Sequence, residues 1–262
     1  MNAPEQITAR DNPLIKELRK LAQDGSAYRK TGRVWVEGEH LCEAALAKGW
    51  KPEIIAFLEH LRHLAGMESM QSAIKSIVIP EALMKEISTL ESPPPLGFVM
   101  ALPADQGVQP NLRTVVLDRL QDPGNAGSIL RSAAAFGFEQ VVALKGTVAL
   151  WSPKVLRAGM GAHFSLRLVE VATLEDVKAL LAPLAATSSH AGDLLHRMPQ
   201  ERLAQLNWVL GHEGQGVSHE LQALAQQQVR ISQPGGEESL NVAAAAAILL
   251  HVSGVARMPV SS

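Results

Sequence analysis

With a single cysteine, Cys42, in 262 residues, the chain can close no disulfide within itself and cannot build a cysteine-rich zinc framework. Cys42 lies in the apolar stretch Leu41-Cys-Glu-Ala-Ala-Leu46 and reads as a small core residue rather than a nucleophile. Aromatic residues are scarce, at 4% of the chain, and none forms the interleaved basic and aromatic strip that stacks single-stranded bases. A positive excess is missing as well: Lys and Arg total 24 against 26 Asp and Glu, so the chain as a whole carries no basic footprint for phosphate. No apolar run reaches the roughly 18 residues of a membrane span. The opening Met-Asn-Ala-Pro-Glu-Gln-Ile has neither the basic nor the apolar region of a secretion signal. The expectation is a cytoplasmic protein.

The chain does have enough apolar material for full burial, 47% hydrophobic against 19% charged residues, and a length that suits two cores. Its charge is uneven. Residues 1–33 carry Arg10, Lys16, Arg19, Lys20, Arg29, Lys30 and Arg33 against Glu5, Asp11, Glu17 and Asp24, a local balance of +3. That excess fits a surface facing nucleic acid and a solvated helix face equally well.

Asn12-Pro13 followed by Leu14, Ile15, Leu18 and Leu21 predicts an N-capped helix with proline in its first turn. Arg33–Glu37, Ile54–Leu58, Ser76–Ile79 and Gly97–Leu102 carry strand signals separated by helical segments, which implies a small α/β domain. Pro103–Pro110 is polar, turn-rich and aperiodic, and reads as a linker. The alternation then restarts. Strands are expected at Thr114–Asp118, Gln140–Leu144, Leu166–Val169, Ala186–Ser188, Trp208–Leu210 and Val229–Ile231. Helices are expected at Ser128–Phe136, from Pro153, and at Leu174–Leu184, Ser218–Gln226 and Leu240–Gly254. The fold class is α/β, with a parallel sheet in the second half.

Three segments of that half carry chemistry. Leu117–Gly137 runs a strand into the turn Gln121-Asp-Pro-Gly-Asn125 and a helix bearing Arg131. Its first N–H groups lack internal partners and could meet an anion; as a bland alternative, Arg131 sits in a surface ion pair. Val209–Ser218 has three glycines in six positions, which let backbone approach a flat ligand, and Glu213 stands between them. Ile231–Val242 is again strand, glycine turn and helix, delivering Ser239 and Asn241 to a helix start, where Ser239 could serve merely as N-cap.

In this order, over about residues 112–255, the three segments resemble the motifs of the SpoU (TrmH) branch of the SPOUT RNA methyltransferases. Asn12-Pro-Leu-Ile-Lys16, Arg29-Lys-Thr-Gly-Arg33 and Val36-Glu-Gly38 resemble the RNA-binding domain that precedes the catalytic domain in many members. The resemblance implies a ribosomal-protein L30e-like RNA substrate-binding domain over 1–104, a linker over 105–111, and a SPOUT methyltransferase domain with a C-terminal trefoil knot over 112–262. It implies S-adenosylmethionine as cofactor, a homodimer with the active site near the subunit interface, and RNA as partner, with no membrane and no metal. Asn125, Arg131, Glu213, Ser239 and Asn241 are the implied catalytic group. Leu210, Gly211, Gly214, Ile231 and Leu240 are the implied cofactor contacts, largely through backbone, and Arg29, Lys30 and Arg33 the implied RNA contacts.

The implied reaction is 2′-O-ribose methylation of RNA, with ribosomal RNA first and transfer RNA second. It is an in-line attack by a ribose 2′-oxygen on a sulfonium methyl. The family assigns the base to the counterpart of Arg131, yet arginine holds its proton at any working pH. The second version has Arg131 position the adjacent phosphate and polarise the hydroxyl while phosphate or water takes the proton. An alternative function is a non-catalytic RNA-binding or ribosome-assembly factor with the same fold. The chain departs from the family at Ser232-Gln233-Pro234, where Ile231 is followed in members by Pro-Met, and the departure bears on the loop against the cofactor.

Other constellations are set aside. His212-Glu213 has its next histidine at His219, not four residues on. His60 and His63 have no third ligand near in sequence. Gly159-Met-Gly161 meets Phe164 where a dinucleotide fingerprint needs glycine or alanine, and Ser188-Ser-His190 lacks the nucleophile-elbow pattern.

Overall fold

The computed structural model describes residues 4–62, 74–104, 107–236 and 239–258. His63, Asp105 and Gln106 of the sequence reading lie outside them. The chain divides into two compact units, Met1–Ala104 with Trp151–Phe164, and Asp105–Leu150 with Ser165–Ser262.

The first unit is built from β1 (Glu5–Gln6), α1 (Pro13–Gln23), α2 (Tyr28–Thr31), β2 (Arg33–Glu37), α3 (Glu39–Ala47), β3 (Pro52–Phe57), β4 (Lys75–Val78), α4 (Glu81–Ile87) and β5 (Leu96–Ala101). Asn12 starts α1 as expected: its side-chain oxygen accepts the N–H of Leu14 at 2.9 Å, and Pro13 occupies the first turn. Ile15, Leu18, Leu21 and Ala22 then fall on one buried face. The sheet order is β1-β4-β3-β5-β2, parallel on the β1-β4-β3 side and antiparallel around β5.

In the sequence reading, 151–164 belongs with 112–262; in the structure it is part of the first unit. Its helix α6 (Pro153–Gly159) places Arg157 at 3.2 Å from the buried carboxylate of Glu37, which also accepts from the Trp35 indole. Trp50 meets Trp151 and Phe164 with ring centroids 5.7 and 5.3 Å apart.

The second unit contains β6 (Thr114–Leu117), α5 (Pro123–Ala135), β7 (Gln140–Leu144), β8 (Arg167–Ala172), α7 (Leu174–Lys178), β9 (Leu184–Thr187), β10 (Asp193–Leu194), α8 (Gln200–Leu203), β11 (Asn207–Leu210), α9 (His219–Leu224), β12 (Gln227–Arg230) and α10 (Val242–Val255). Its strands run β10-β12-β9-β11-β6-β7-β8, and every pairing is parallel. The central strands β6 and β11 are buried along their whole length, which is why they read as continuous apolar runs rather than alternating ones.

Four expected helices begin or end elsewhere, α9 spanning His219–Leu224 rather than Ser218–Gln226. Helix α5 starts five residues before Ser128, because Asp122 caps it, accepting the N–H of Asn125 at 2.7 Å, and Pro123 fills a position whose missing N–H costs nothing. Helix α7 stops at Lys178 rather than Leu184. Beyond it Leu181 turns its N–H to the carbonyl of Pro110, and Pro183 disfavours helix at the residue before it. Helix α10 starts at Val242 because Asn241 caps it.

Helix α10 packs tightly on α5: a Cβ added at Gly254 would stand 2.9 Å from the carbonyl oxygen of Phe136. Its buried Ser253 accepts from the indole of Trp208 at 2.8 Å, both residues being fully enclosed. Ser253→Ala strands that N–H and is expected to cost about 1–3 kcal/mol. A thermal melt should fall by several degrees; an unchanged melt would show the indole finding another acceptor.

Candidate active site

The carboxyl ends of β6, β11, β9 and β12 open into the segments 118–122, 211–218, 188–192 and 231–236, where parallel sheets offer ligand crevices. The last three of these segments, with Gln222 of α9, residues 239–241 and the first turns of α10, line an open cavity of about 560 Å³. Of the expected residues, Gly211, Glu213, Gly214, Ile231, Ser239, Leu240 and Asn241 line it. Leu210 does not: it is fully buried as the last residue of β11, and its carbonyl is taken by the N–H of Asp118 at 2.9 Å.

The three segments are tied by a directional chain of hydrogen bonds. The Asn241 oxygen accepts the N–H groups of Ala243 and Ala244 at 2.9 and 3.2 Å, so its amide nitrogen faces out and donates to Asn125 Oδ1 at 3.0 Å. Asn125 Nδ2 donates to Glu213 Oε1 at 3.2 Å. A carboxylate at one end and backbone donors at the other fix which way both amides point. Ser239 remains exposed on the cavity rim and leaves the capping to Asn241.

The anion expected at the start of α5 is supplied by the protein itself. Glu213 accepts from the N–H groups of Gln121 and Asp122 at 3.2 and 3.0 Å, while Asp122 takes that of Asn125. Partial burial raises the Glu213 carboxyl, but the donors from Asp122, Glu213's own backbone, Asn125 and Gln121 outweigh it and hold the group below its ordinary value. Glu213 is thus an ionised clamp and a poor base. Because its carboxyl titrates lower folded than unfolded, its contribution to stability is complete above the unfolded value and disappears as pH falls through the folded one. The gap in melting temperature between wild type and Glu213→Gln should therefore be widest at neutral pH, begin to narrow as pH falls through the ordinary glutamate value of roughly 4.3, and close at the lower folded value. A gap that grows in acid would contradict this.

Arg131 stands apart from this cluster. It is exposed on α5, six residues beyond Asn125 and so on a different side of the helix, with no ion-pair or hydrogen-bond partner among the described residues.

Asp118, Arg119 and Gln215, which sequence reasoning did not single out, shape the loop 211–218 together with His212, which it weighed only as a metal ligand. The buried Asp118 accepts the N–H of Ser218 at 2.6 Å and pairs with Arg119 at 3.0 Å. Arg119 adopts φ 57°, a strained conformation for a side-chain-bearing residue, and reaches Gln215 Oε1 at 3.0 Å. His212 Nδ1 accepts from Gly214 and Gln215 N–H at 3.0 and 3.3 Å. The polar pair Asp118-Arg119 directly after an apolar strand was the available signal; the backbone strain was not readable. Gly211 permits the closure, since a Cβ there would lie 2.1 Å from the carbonyl carbon of Gly216. Gly211→Ala should force the loop open and weaken S-adenosylhomocysteine binding by roughly tenfold or more in calorimetry; wild-type affinity would mean that the loop does not shape the cavity.

In the first unit, Arg29 and Lys30 are exposed on α2. Arg33 is engaged by Glu17 at 3.0 Å and Glu53 at 2.6 Å, so most of its charge is met internally.

Residues 113–251 match the SpoU rRNA Methylase family, and residues 12–96 match the MRM3-like substrate binding domain. An uncharacterized tRNA/rRNA methyltransferase of Synechocystis sp. is 36% identical over 257 residues, 94% of this chain and 92% of that protein. The 23S rRNA (guanosine(2553)-2′-O)-methyltransferase of Bacillus subtilis is 29% identical over 250 residues, 94% of this chain and 98% of its own length. The SpoU methyltransferase AviRb of Streptomyces viridochromogenes, solved in complex with AdoMet, superposes with a TM-score of 0.81 at 25% identity, covering 94% of this chain and 98% of that one. The bonded motifs at the ends of a parallel sheet, the match over more than half the chain and the near full-length relatives lead to one placement: the chain belongs to the SpoU rRNA methylase family.

Proposed function

We propose that the protein methylates ribose 2′-hydroxyls of ribosomal RNA with S-adenosylmethionine as methyl donor. The observation that carries this reading is the Asn241–Asn125–Glu213 chain, which joins three separate segments at the rim of one cavity. A catalytically idle descendant has no need of that chain.

The cavity suits the cofactor. Its volume lies within the roughly 300–1,000 Å³ of small-molecule sites. Its walls combine close-approaching backbone at Gly211, Gly214 and Gly216 with the apolar side chains of Val217, Ile231 and Leu249. These residues would hold the cofactor, which supplies an electrophilic sulfonium methyl when bound. Glu213 and Asp122 brace the start of α5, so the Asn125 and Asn241 amides are pre-set rather than mobile. Arg131 offers an unengaged guanidinium, suited to gripping an RNA phosphate and polarising the neighbouring hydroxyl; phosphate or water then takes the proton, a role closed to a permanently charged arginine.

Residues 1–104 serve as the RNA-binding domain, with Arg29 and Lys30 the better-placed cations and Arg33 more a structural tie. The protein works as a homodimer. Ile248 and Val255, 39% and 42% exposed, share one face of α10, and a second copy would cover it. The chain enters α10 from β12, which lies two strands from β11, and α10 then packs on α5 and β11. This return across the sheet supports the knotted topology. No helix among the described residues is long and apolar enough to cross a membrane, in keeping with work in the cytoplasm.

The test incubates the protein with methyl-labelled S-adenosylmethionine and unmodified RNA, then digests to nucleosides. Label in 2′-O-methyl nucleosides of ribosomal RNA is expected. Label on a base would overturn the ribose assignment, and tight RNA binding without label would favour an assembly factor.

A further inference from the structure

Among the described residues, Met160, Val171 and Arg119 carry side chains at a positive φ. The first two have local reasons. Met160 ends α6 in the left-handed conformation common after a helix, and Val171 sits at the irregularity where β7 pairs with the edge strand β8. Arg119, at φ 57° between β6 and α5, ends no helix and lies in no strand. Glycine would hold this backbone without strain. The neighbouring loop makes room for the arginine as well, since a Cβ added at Gly146 would stand 3.3 Å from Arg119 Cγ. Two backbone positions are thus shaped around one side chain.

That side chain joins two places. Its Nε and Nη2 donate to the carboxylate of Asp118 at 3.0 and 3.4 Å, and its Nη1 donates to Gln215 Oε1 at 3.0 Å. Asp118 is buried and also accepts the N–H of Ser218, so the anchored end is fixed. The other end is the tip of the loop 211–218, where Gln215 lines the cavity. With glycine at 211, 214 and 216 the loop has little stiffness of its own, and Arg119 ties its tip to the end of β6.

We propose that Arg119 is a positioning residue for the methyl donor: it latches Gln215 and so keeps the loop 211–218 in its cofactor-binding form, without touching the reacting atoms. This rests on the cavity being the S-adenosylmethionine site. The planar guanidinium suits the task, because one edge holds the carboxylate while the remaining nitrogen holds the amide, whereas an ammonium reaches one of them. The strain at residue 119 is offset by a loop that is already closed before the cofactor arrives.

The test measures S-adenosylhomocysteine binding by calorimetry, and methylation kinetics, in the full-length chain carrying Arg119→Lys, Gln215→Met or both. Lysine keeps a positive charge beside Asp118 but loses the reach to Gln215, and Gln215 is exposed, so methionine there leaves the fold intact. Each single variant is expected to weaken S-adenosylhomocysteine and raise the KM for S-adenosylmethionine about tenfold, the scale of one hydrogen bond from a charged donor. At saturating cofactor kcat should hold, as it does when an interaction common to ground and transition state is lost. The double variant should lose no more than either single one, because both break the same link. Wild-type affinity in Arg119→Lys, or losses that multiply in the double variant, would overturn the proposal. A fall in kcat with KM unchanged would overturn it too, by moving Arg119 into the chemistry. If the wild type itself binds no S-adenosylhomocysteine, the cofactor reading of the cavity fails and the latch fails with it.

Discussion

Arg131→Lys is expected to lose on the order of 10²- to 10³-fold in kcat, the scale seen when a preset donor to a transition state is removed, while its melting temperature and its affinity for S-adenosylhomocysteine stay at wild-type values. The first half of the expectation follows from the guanidinium fork, which can hold two phosphate oxygens and still point a donor at a hydroxyl. An ammonium is a point charge and can do one or the other. The second half follows from placement. Arg131 is exposed, engages no other described residue and does not line the cavity. Removing it therefore takes nothing from the fold or the cofactor site. Single-turnover methylation together with binding calorimetry reads both halves. A fully active lysine variant would remove Arg131 from the chemistry in either of its versions, and a parallel loss of cofactor affinity would show that it belongs to the cavity.

Asn241→Asp separates two roles that one side chain performs. Aspartate is as good an N-cap as asparagine, so the bonds from Ala243 and Ala244 persist, and its charge suits the positive end of α10. It has no hydrogen to give Asn125, however, and it brings a second negative charge towards Glu213. The chain through Asn125 is broken while the helix keeps its start. Stability should change by less than about 1 kcal/mol, and turnover should fall about 100-fold, as when reacting groups are misplaced by an ångström. Asn241→Ala loses the cap too, so its melt should fall further than that of the aspartate variant while turnover falls comparably. An active aspartate variant would show that the amide donor serves no catalytic purpose.

How much of this was readable from the sequence depended on whether local chemistry or long-range geometry decided each feature. The α1 cap at Asn12-Pro13, the strands at Thr114, Gln140 and Trp208, and the parallel sheet follow from spacing and composition alone. The order of the three motifs announced the site, and four of the five implied cofactor contacts line the cavity. The start of α5 was misplaced because Asp-Pro-Gly-Asn is compatible with both a turn and a capped first turn, and the choice is made by Asp122 and by Glu213 some 90 residues away. The same distance hid the role of Glu213. Read locally it is a free carboxylate among glycines; in the fold it is occupied by Gln121, Asp122 and Asn125.

The bond from Asn241 to Asn125 spans 116 residues, and this has a consequence for the protein's birth. At about 5–20 residues per second of synthesis, roughly 6–23 seconds separate the emergence of the first motif from that of the third. During that interval the sheet strands through β11 can form, but the amide chain and one wall of the cavity cannot exist. A nascent chain on the ribosome is thus unable to modify the RNA that surrounds it, and the activity switches on only when the last helix docks against α5.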